Sequence, residues 1–216
     1  MKSNTGNMDI PRENTQLALD FANTRGWHES EDREELFRTY RDVIKWCEQS
    51  GVVDRKEAAH LVETGQNRVS VMRDLLHGAI TLRKSLYRIF SAVATKTPPR
   101  DTDLDTLNEH LAKVMAETRL VYESSRFILH QDRRNEAFHF VLDPVVRSAA
   151  NLLLSAEVGR IKKCTDQSCG WLFIDGSKNR SRKWCDMKDC GNRAKARRHY
   201  RRVRAGKNRS TPTSVE

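Results

Sequence analysis

The chain has 216 residues, 38% hydrophobic and 31% charged, with a formal net charge of +10 and five cysteines. That length suits one domain of ordinary size plus a small second module. No run approaches the ~18–20 apolar residues of a membrane span, and MKSNTGNMDIPRENTQ has no apolar signal region, so no membrane partner is expected and the location expected is cytoplasmic.

Residues 1–13 read as a loose leader. TQLALDFANT then carries Leu17, Ala18, Phe21 and Ala22 at helical spacing. Ser30 can cap a second helix, with Glu31 and Asp32 in its first turn and Leu36, Phe37, Tyr40, Val43, Ile44 and Cys47 on its apolar face; Gly51 ends it. Asp54 followed by Glu57 resembles a capping box for a short helix through Leu61 and Val62. The longest helix is expected from about Val69 to Ala94, where Leu75, Ala79, Leu82, Leu86, Ile89 and Phe90 step by three and four. Gly78 inside it costs about 1 kcal/mol relative to alanine, which implies close packing or a bend. The prolines of TKTPPRD stop that helix, and Leu104, Leu107, Leu111, Val114 and Met115 mark the next.

The period then changes. RLVYES, RFILH and AFHFVL alternate or are β-rich, with QDRRNE as a polar connector, so a small antiparallel meander is expected. Asp143 as cap and Pro144 at the first position start a further helix bearing Val145, Ala149, Leu152, Leu153 and Ala156. Residues 14–158 thus form a mainly α domain with a small sheet, an α+β arrangement.

The charge is not spread evenly. Residues 159–210 hold 17 Lys/Arg against 4 Asp/Glu, whereas residues 1–158 hold 22 against 24. A basic block of this kind favours a polyanion, most often nucleic acid; a solvated basic tail is the plainer alternative. The same block contains Cys164-x4-Cys169, fifteen residues, then Cys185-x4-Cys190. Two equal pairs suit tetrahedral Zn²⁺ with four thiolates, and a filled shell means a structural ion rather than a catalytic one. Disulfides and unligated thiols are the alternatives, the first disfavoured in a reducing compartment. A basic segment this short needs the folding energy a metal supplies. Cys47, on an apolar helix face, reads as a small buried residue.

Around the cysteines we expect a small ββα module over 159–206, of zinc-ribbon or treble-clef type. Its strands fall at Ile161–Cys164 and 171–174, and its helix runs from about Asn192, the expected cap, to Ala205. Ala196, His199, Tyr200 and Val203 share the face expected to pack on the module. Arg193, Arg197, Arg198, Arg201 and Arg204 form the expected nucleic-acid contact, with Lys178, Arg180, Arg182 and Lys183 of SKNRSRK as a second cluster. Gly191 is expected to permit a tight turn between metal and helix. Residues 207–216 read as a flexible end.

The string WCDMKDCGNRAKARRHYRR, with FIDGSKNRSRK and the Cys164/Cys169 pair ahead of it, resembles the CGNR zinc finger. LALDFANT and the helices after it resemble the ABATE domain that commonly precedes that finger. The resemblance covers most of the chain. It implies a structural zinc site and a nucleic-acid-binding role of the kind suggested for stress-induced transcription regulators.

Asp20, Asn23 and Thr24 are polar positions on an otherwise apolar helix. They read either as satisfied core polar groups at a helix end or as an effector pocket that switches the finger. No phosphate loop, HExxH or nucleophile elbow is present, so no catalytic residue is assigned and an enzyme is not expected. The expected function is a zinc-dependent nucleic-acid-binding transcription regulator, with DNA favoured over RNA. Its helical domain senses an effector or forms a homodimer. The alternative is a protein-interaction adaptor, or an RNA binder, using the same basic module.

Overall fold

A computed structural model describes residues 15–25, 35–131 and 138–207, the side chains of Gln131 and of 205–207 excepted. The Ser30 cap with Glu31 and Asp32, most of QDRRNE, and the ends at 1–13 and 208–216 lie outside the described residues; Lys207 still belongs to the last helix.

Among the described residues five helices come first: α1 (Gln16–Ala22), α2 (Tyr40–Gln49), α3 (Arg55–Gly65), α4 (Val69–Thr95) and α5 (Asp101–Ala116). The hairpin β1 (Thr118–Glu123) and β2 (Arg126–Gln131) follows, then a 3-10 turn at Phe138–Leu142 and α6 (Asp143–Leu154). A second hairpin, β3 (Ile161–Lys163) and β4 (Leu172–Ile174), leads to a π-turn at Met187–Gly191 and α7 (Asn192–Lys207).

The expected mainly helical class with small antiparallel sheets is what forms. The 27-residue α4 is its axis, long enough at 1.5 Å per residue to cross the whole body. Leu75, Ala79, Leu82, Leu86, Ile89 and Phe90 are buried along it, and α1, α2, α5 and β3 pack against it. Gly78 has open space except for His139 at 4.0 Å, so no close backbone packing explains it.

Several local expectations change. Helix α2 begins at Tyr40, where Thr39 and Asp42 form the capping box. Leu36 and Phe37 precede it: Phe37 is buried against Phe21 and Trp46, and Leu36 is exposed. AFHFVL is not a third strand, so the meander is a two-stranded hairpin. Phe138 and Val141 reach the core from one side of a 3-10 turn instead, which period-2 alternation cannot distinguish over so few residues. Asp143 is the first helical residue rather than the cap, and α6 ends before Ala156, which is exposed.

The two small elements that matter most for function sit at a seam. Ile161 and Leu172, from the second hairpin, belong to the same buried cluster as the helices. Asn23, one residue past α1, donates from Nδ2 to the Leu172 carbonyl at 2.8 Å and accepts from the Leu172 N–H at 2.9 Å. Its amide therefore pairs with both backbone groups of one strand residue, as a neighbouring strand would. Tyr87 of α4 donates to the Gly170 carbonyl at 2.8 Å, and the Lys163 ammonium lies over the Tyr87 ring. Nearby, the buried Arg83 guanidinium donates both ways to Glu35 at 2.5 and 2.6 Å and lies over the Phe37 ring. Burial raises the Glu35 pKa, but the Arg83 bonds and charge and the Phe37 N–H outweigh it and leave the carboxyl below its ordinary value.

Candidate metal centre and nucleic-acid interface

Cys164 follows β3, and its N–H donates to the Trp171 carbonyl at 2.8 Å. The chain turns back through Cys169 and Gly170, the latter at φ 65°, where a side chain would be strained. The second pair comes from the other end of the module. Cys185 precedes the π-turn and Cys190 lies within it. The four Sγ atoms lie within 4.8 Å of one another, with Cys169–Cys185 and Cys185–Cys190 both at 3.6 Å. A tetrahedron with Zn–S of about 2.3 Å has S···S edges of about 3.8 Å, so the cluster has the right size for this ion.

The thiols are not bridged to one another. Their mutual proximity sets them in competition for protons. A hydrogen bond from Cys185 leads in lowering Cys169 to about 6, while the same bond pushes Cys185 up and burial raises Cys190 to about 12. A divalent cation resolves that conflict, because a coordinated thiol is deprotonated outright. Arg193 Nη2 donates to Cys190 Sγ at 3.0 Å, a supporting bond that stabilises a thiolate. Cys47 is remote from this group; it is a buried core residue whose thiol burial raises to about 12.

Three carboxylates organise the module. Asp166 accepts from the Ser168 N–H and hydroxyl and is paired with Arg197 and Arg193. Burial opposes its charge, but these bonds hold its carboxyl below the ordinary 3.8. Asp175 repeats the pattern with Ser177 and also takes Lys162 Nζ at 2.6 Å and the Arg182 N–H at 3.1 Å. Asp186 accepts from the N–H groups of Lys188 and Asp189. Asp186, not Asn192, therefore caps the helical run, because the π-turn extends it backwards past Asn192. Asn192 is already helical and donates to the Lys188 carbonyl. Gly191 ends the π-turn, and an added Cβ would meet the flexible Met187 side chain at 3.1 Å, a soft contact. Sequence reasoning missed these carboxylates, although Asp-x-Ser at 166–168 and 175–177 is a local turn signal that marks two of them.

The basic residues divide into two sets. Arg193 and Arg197 turn inward to Asp166, rather than joining an uninterrupted outer stripe. Arg182 donates to the Trp184 and Cys185 carbonyls and its guanidinium lies 4.7 Å from the Phe173 ring centroid. Lys178, Arg180, Lys183, Arg198, Arg201 and Arg204 are exposed. The expected packing of Ala196, His199, Tyr200 and Val203 on the module does not occur: Tyr200 is 73% exposed, and His199 and Val203 are exposed with it. Among the described elements, only the Met187–Gly191 turn packs extensively on α7, since so small a module does not reach far along it.

Asp20, Asn23 and Thr24 come together at the seam. Asn23 and Thr24 are buried and bonded, Thr24 to the Phe21 carbonyl; Asp20 is exposed and accepts from Gln16. All three line a cleft of about 760 Å³ that Trp46 and Trp171 share with the cysteine side of the module.

This architecture defines a mostly helical protein with a four-cysteine ββα zinc module rooted in its core. The chain belongs to the ABATE family: that family's model, described as "Putative stress-induced transcription regulator", matches residues 15–156, and the CGNR zinc finger model matches residues 160–203. No curated protein matches the chain closely. The finger match and the cysteine geometry together establish a single structural zinc, held by Cys164, Cys169, Cys185 and Cys190. Among the described residues, no helix is long and apolar enough to cross a membrane.

Proposed function

We propose that this is a cytoplasmic, non-enzymatic nucleic-acid-binding regulator whose zinc module aims α7 at DNA. The observation that carries this is the division of the arginines. Arg193 and Arg197 anchor the root of α7 to the buried Asp166, so the outer Arg198, Arg201 and Arg204 are held in a fixed direction. Arginine forks suit phosphate and base edges, and the repulsion among them is relieved by a polyanion. The loop 177–183, shaped by Asp175, offers Lys178, Arg180 and Lys183 alongside.

The cleft at the seam is the proposed effector site, with Asp20, Asn23 and Thr24 on its wall. Asn23 bonds directly to β4, so an occupant there could bias the module without touching the zinc.

Binding of the zinc-loaded chain to duplex DNA, structured RNA and an acidic protein, compared at fixed salt and then over a salt series, tests this. DNA affinity should be the highest and fall steeply with salt. Arg201→Ala should weaken DNA binding about evenly across sequences and reduce the salt slope by about 1 if Arg201 meets a phosphate. Unchanged affinity in an Arg198→Ala, Arg201→Ala, Arg204→Ala triple variant would sink the proposal. Preference for the acidic protein would favour an adaptor instead.

A further inference from the structure

The hairpin β1–β2 is built unlike the rest of the body. Ser124 and Ser125 form a two-residue turn with both φ values positive, at 52° and 65°. The register is continuous from Glu123↔Arg126 to Thr118↔Gln131, without a bulge. Leu120, Tyr122 and Phe127 are 66%, 66% and 70% exposed, and the Tyr122 and Phe127 rings stack with centroids 5.0 Å apart. Among the described elements, neither strand packs extensively on any but the other, although Ile128 of β2 is buried. A lone two-stranded hairpin is marginal in water. Its outer edges also offer unpaired backbone groups, and β1 carries no proline, lysine or bulge to guard its edge.

We infer that β1 pairs with β1 of a second copy of this chain, antiparallel and with Val121 on the twofold axis, to make a four-stranded sheet. Two features hold for any register centred on one residue of β1, and a third selects this one. First, a two-residue turn closes on a hydrogen-bonded pair, so the backbone groups of Arg119, Val121 and Glu123 face β2 while those of Leu120 and Tyr122 face outward. With Val121 on the axis, Leu120 lies opposite the second copy's Tyr122, and these outward groups meet. Second, pairing through a single central residue keeps each side chain on its own face, whereas a one-residue slip would mix the faces. Third, Arg119 lies opposite the second copy's Glu123, twice per dimer.

The alternatives lack this third feature. Centring on Leu120 would set Glu117 opposite the second copy's Glu123. Centring on Tyr122 would leave Arg119 opposite Ser125. Pairing through β2 about Ile128 would set Arg126 opposite His130. In the Val121-centred sheet, one face carries the row Phe127, Tyr122 and the second copy's Leu120 and Leu129. The other face places Glu123 between Arg126 and the second copy's Arg119. The sheet would form whether or not α7 meets nucleic acid.

Sedimentation of the zinc-loaded full chain at micromolar concentrations should give a species near twice 25.0 kDa. Glu123→Arg puts like charges opposite each other at both Arg119 positions of the dimer, besides Arg126 within each hairpin, and should weaken dimerisation about 10-fold. Adding Arg119→Glu to it should restore the dimer. Circular dichroism of each variant shows whether the fold is intact. Val121→Cys should crosslink to its own twin under mild oxidation, because a non-hydrogen-bonded pair brings Cα atoms to about 4.5 Å, within disulfide reach. Tyr122→Cys, opposite Leu120, should not. A monomer throughout overturns the inference, as does a dimer indifferent to Glu123→Arg with no Val121→Cys crosslink. A monomer that loses DNA affinity on Tyr122→Ala also overturns it, and gives the hairpin to the nucleic acid.

Discussion

In α4, Leu82, Leu86 and Phe90 are each enclosed by apolar side chains from several helices, whereas around the metal centre the buried apolar matter is little more than Cys164, Cys169, Phe173 and Cys190. The helical body is held by area removed from water, at roughly 25 cal/mol per Å² of apolar surface. The zinc module replaces that term with a metal and with buried carboxylates that each collect several bonds. The second hairpin is shared between the two regimes: Ile161 and Leu172 lie in the helical core, while the cysteines flanking the strands serve the metal. A small module can therefore be rigid at its root, where it is grafted onto a large core, and fully solvated at its tip.

The largest expected effect separates the two regions outright. Structural zinc supplies on the order of 10–16 kcal/mol in small modules. Chelation or Cys185→Ser should therefore expose residues beyond β4 to protease while α1–α6 stay folded, with β3 and β4 retained by the core. Limited proteolysis with mass spectrometry checks this, and elemental analysis should give about one zinc per folded chain. A metal-free chain with an intact module would break the comparison.

A second perturbation should act on the body alone. Glu35→Ala leaves the buried Arg83 charge without its carboxylate; breaking such a pair costs about 3–5 kcal/mol, toward the lower end here because Glu35 is 35% exposed. The melting temperature should fall with zinc content unchanged. Acid should mimic it. The folded Glu35 carboxyl sits below its ordinary 4.5, so its contribution is complete above that value and is lost as pH falls from 4.5 through the lower folded value. Glu35→Gln should be less stable than the parent at neutral pH and less sensitive to this acid window.

A comparable effect tests the seam. Asn23→Ala strands the buried N–H and C=O of Leu172, at about 1–3 kcal/mol for each orphaned group. Thermal unfolding should show the loss while the cysteines keep their metal. If zinc affinity falls as far as stability does, the seam couples body and metal more tightly than separate sources of stability allow.

The two cysteine pairs were legible because metal ligation depends on residue type and spacing, which are local. So was α4, whose three-and-four periodicity runs over many turns. AFHFVL was not, since a few alternating residues fit a strand and a 3-10 turn equally well. The face of α7 was misread for a different reason. Helical spacing says which residues share a side, but not whether the module is wide enough to cover that side. Tyr200 and Val203 lie beyond its reach, and Asp166, far upstream in the chain, claims Arg193 and Arg197 instead.

By itself the sequence determined the helical class, the ligand set and the concentration of positive charge at one end, because periodicity, spacing and composition are properties of neighbouring residues. Tertiary structure alone decided that Asn23 stitches α1 to β4, that Asp186 caps the run into α7, and which arginines anchor the helix and which remain outside. Each of those outcomes depends on which groups meet across the fold, and a buried polar group takes whatever partner the packing brings within reach.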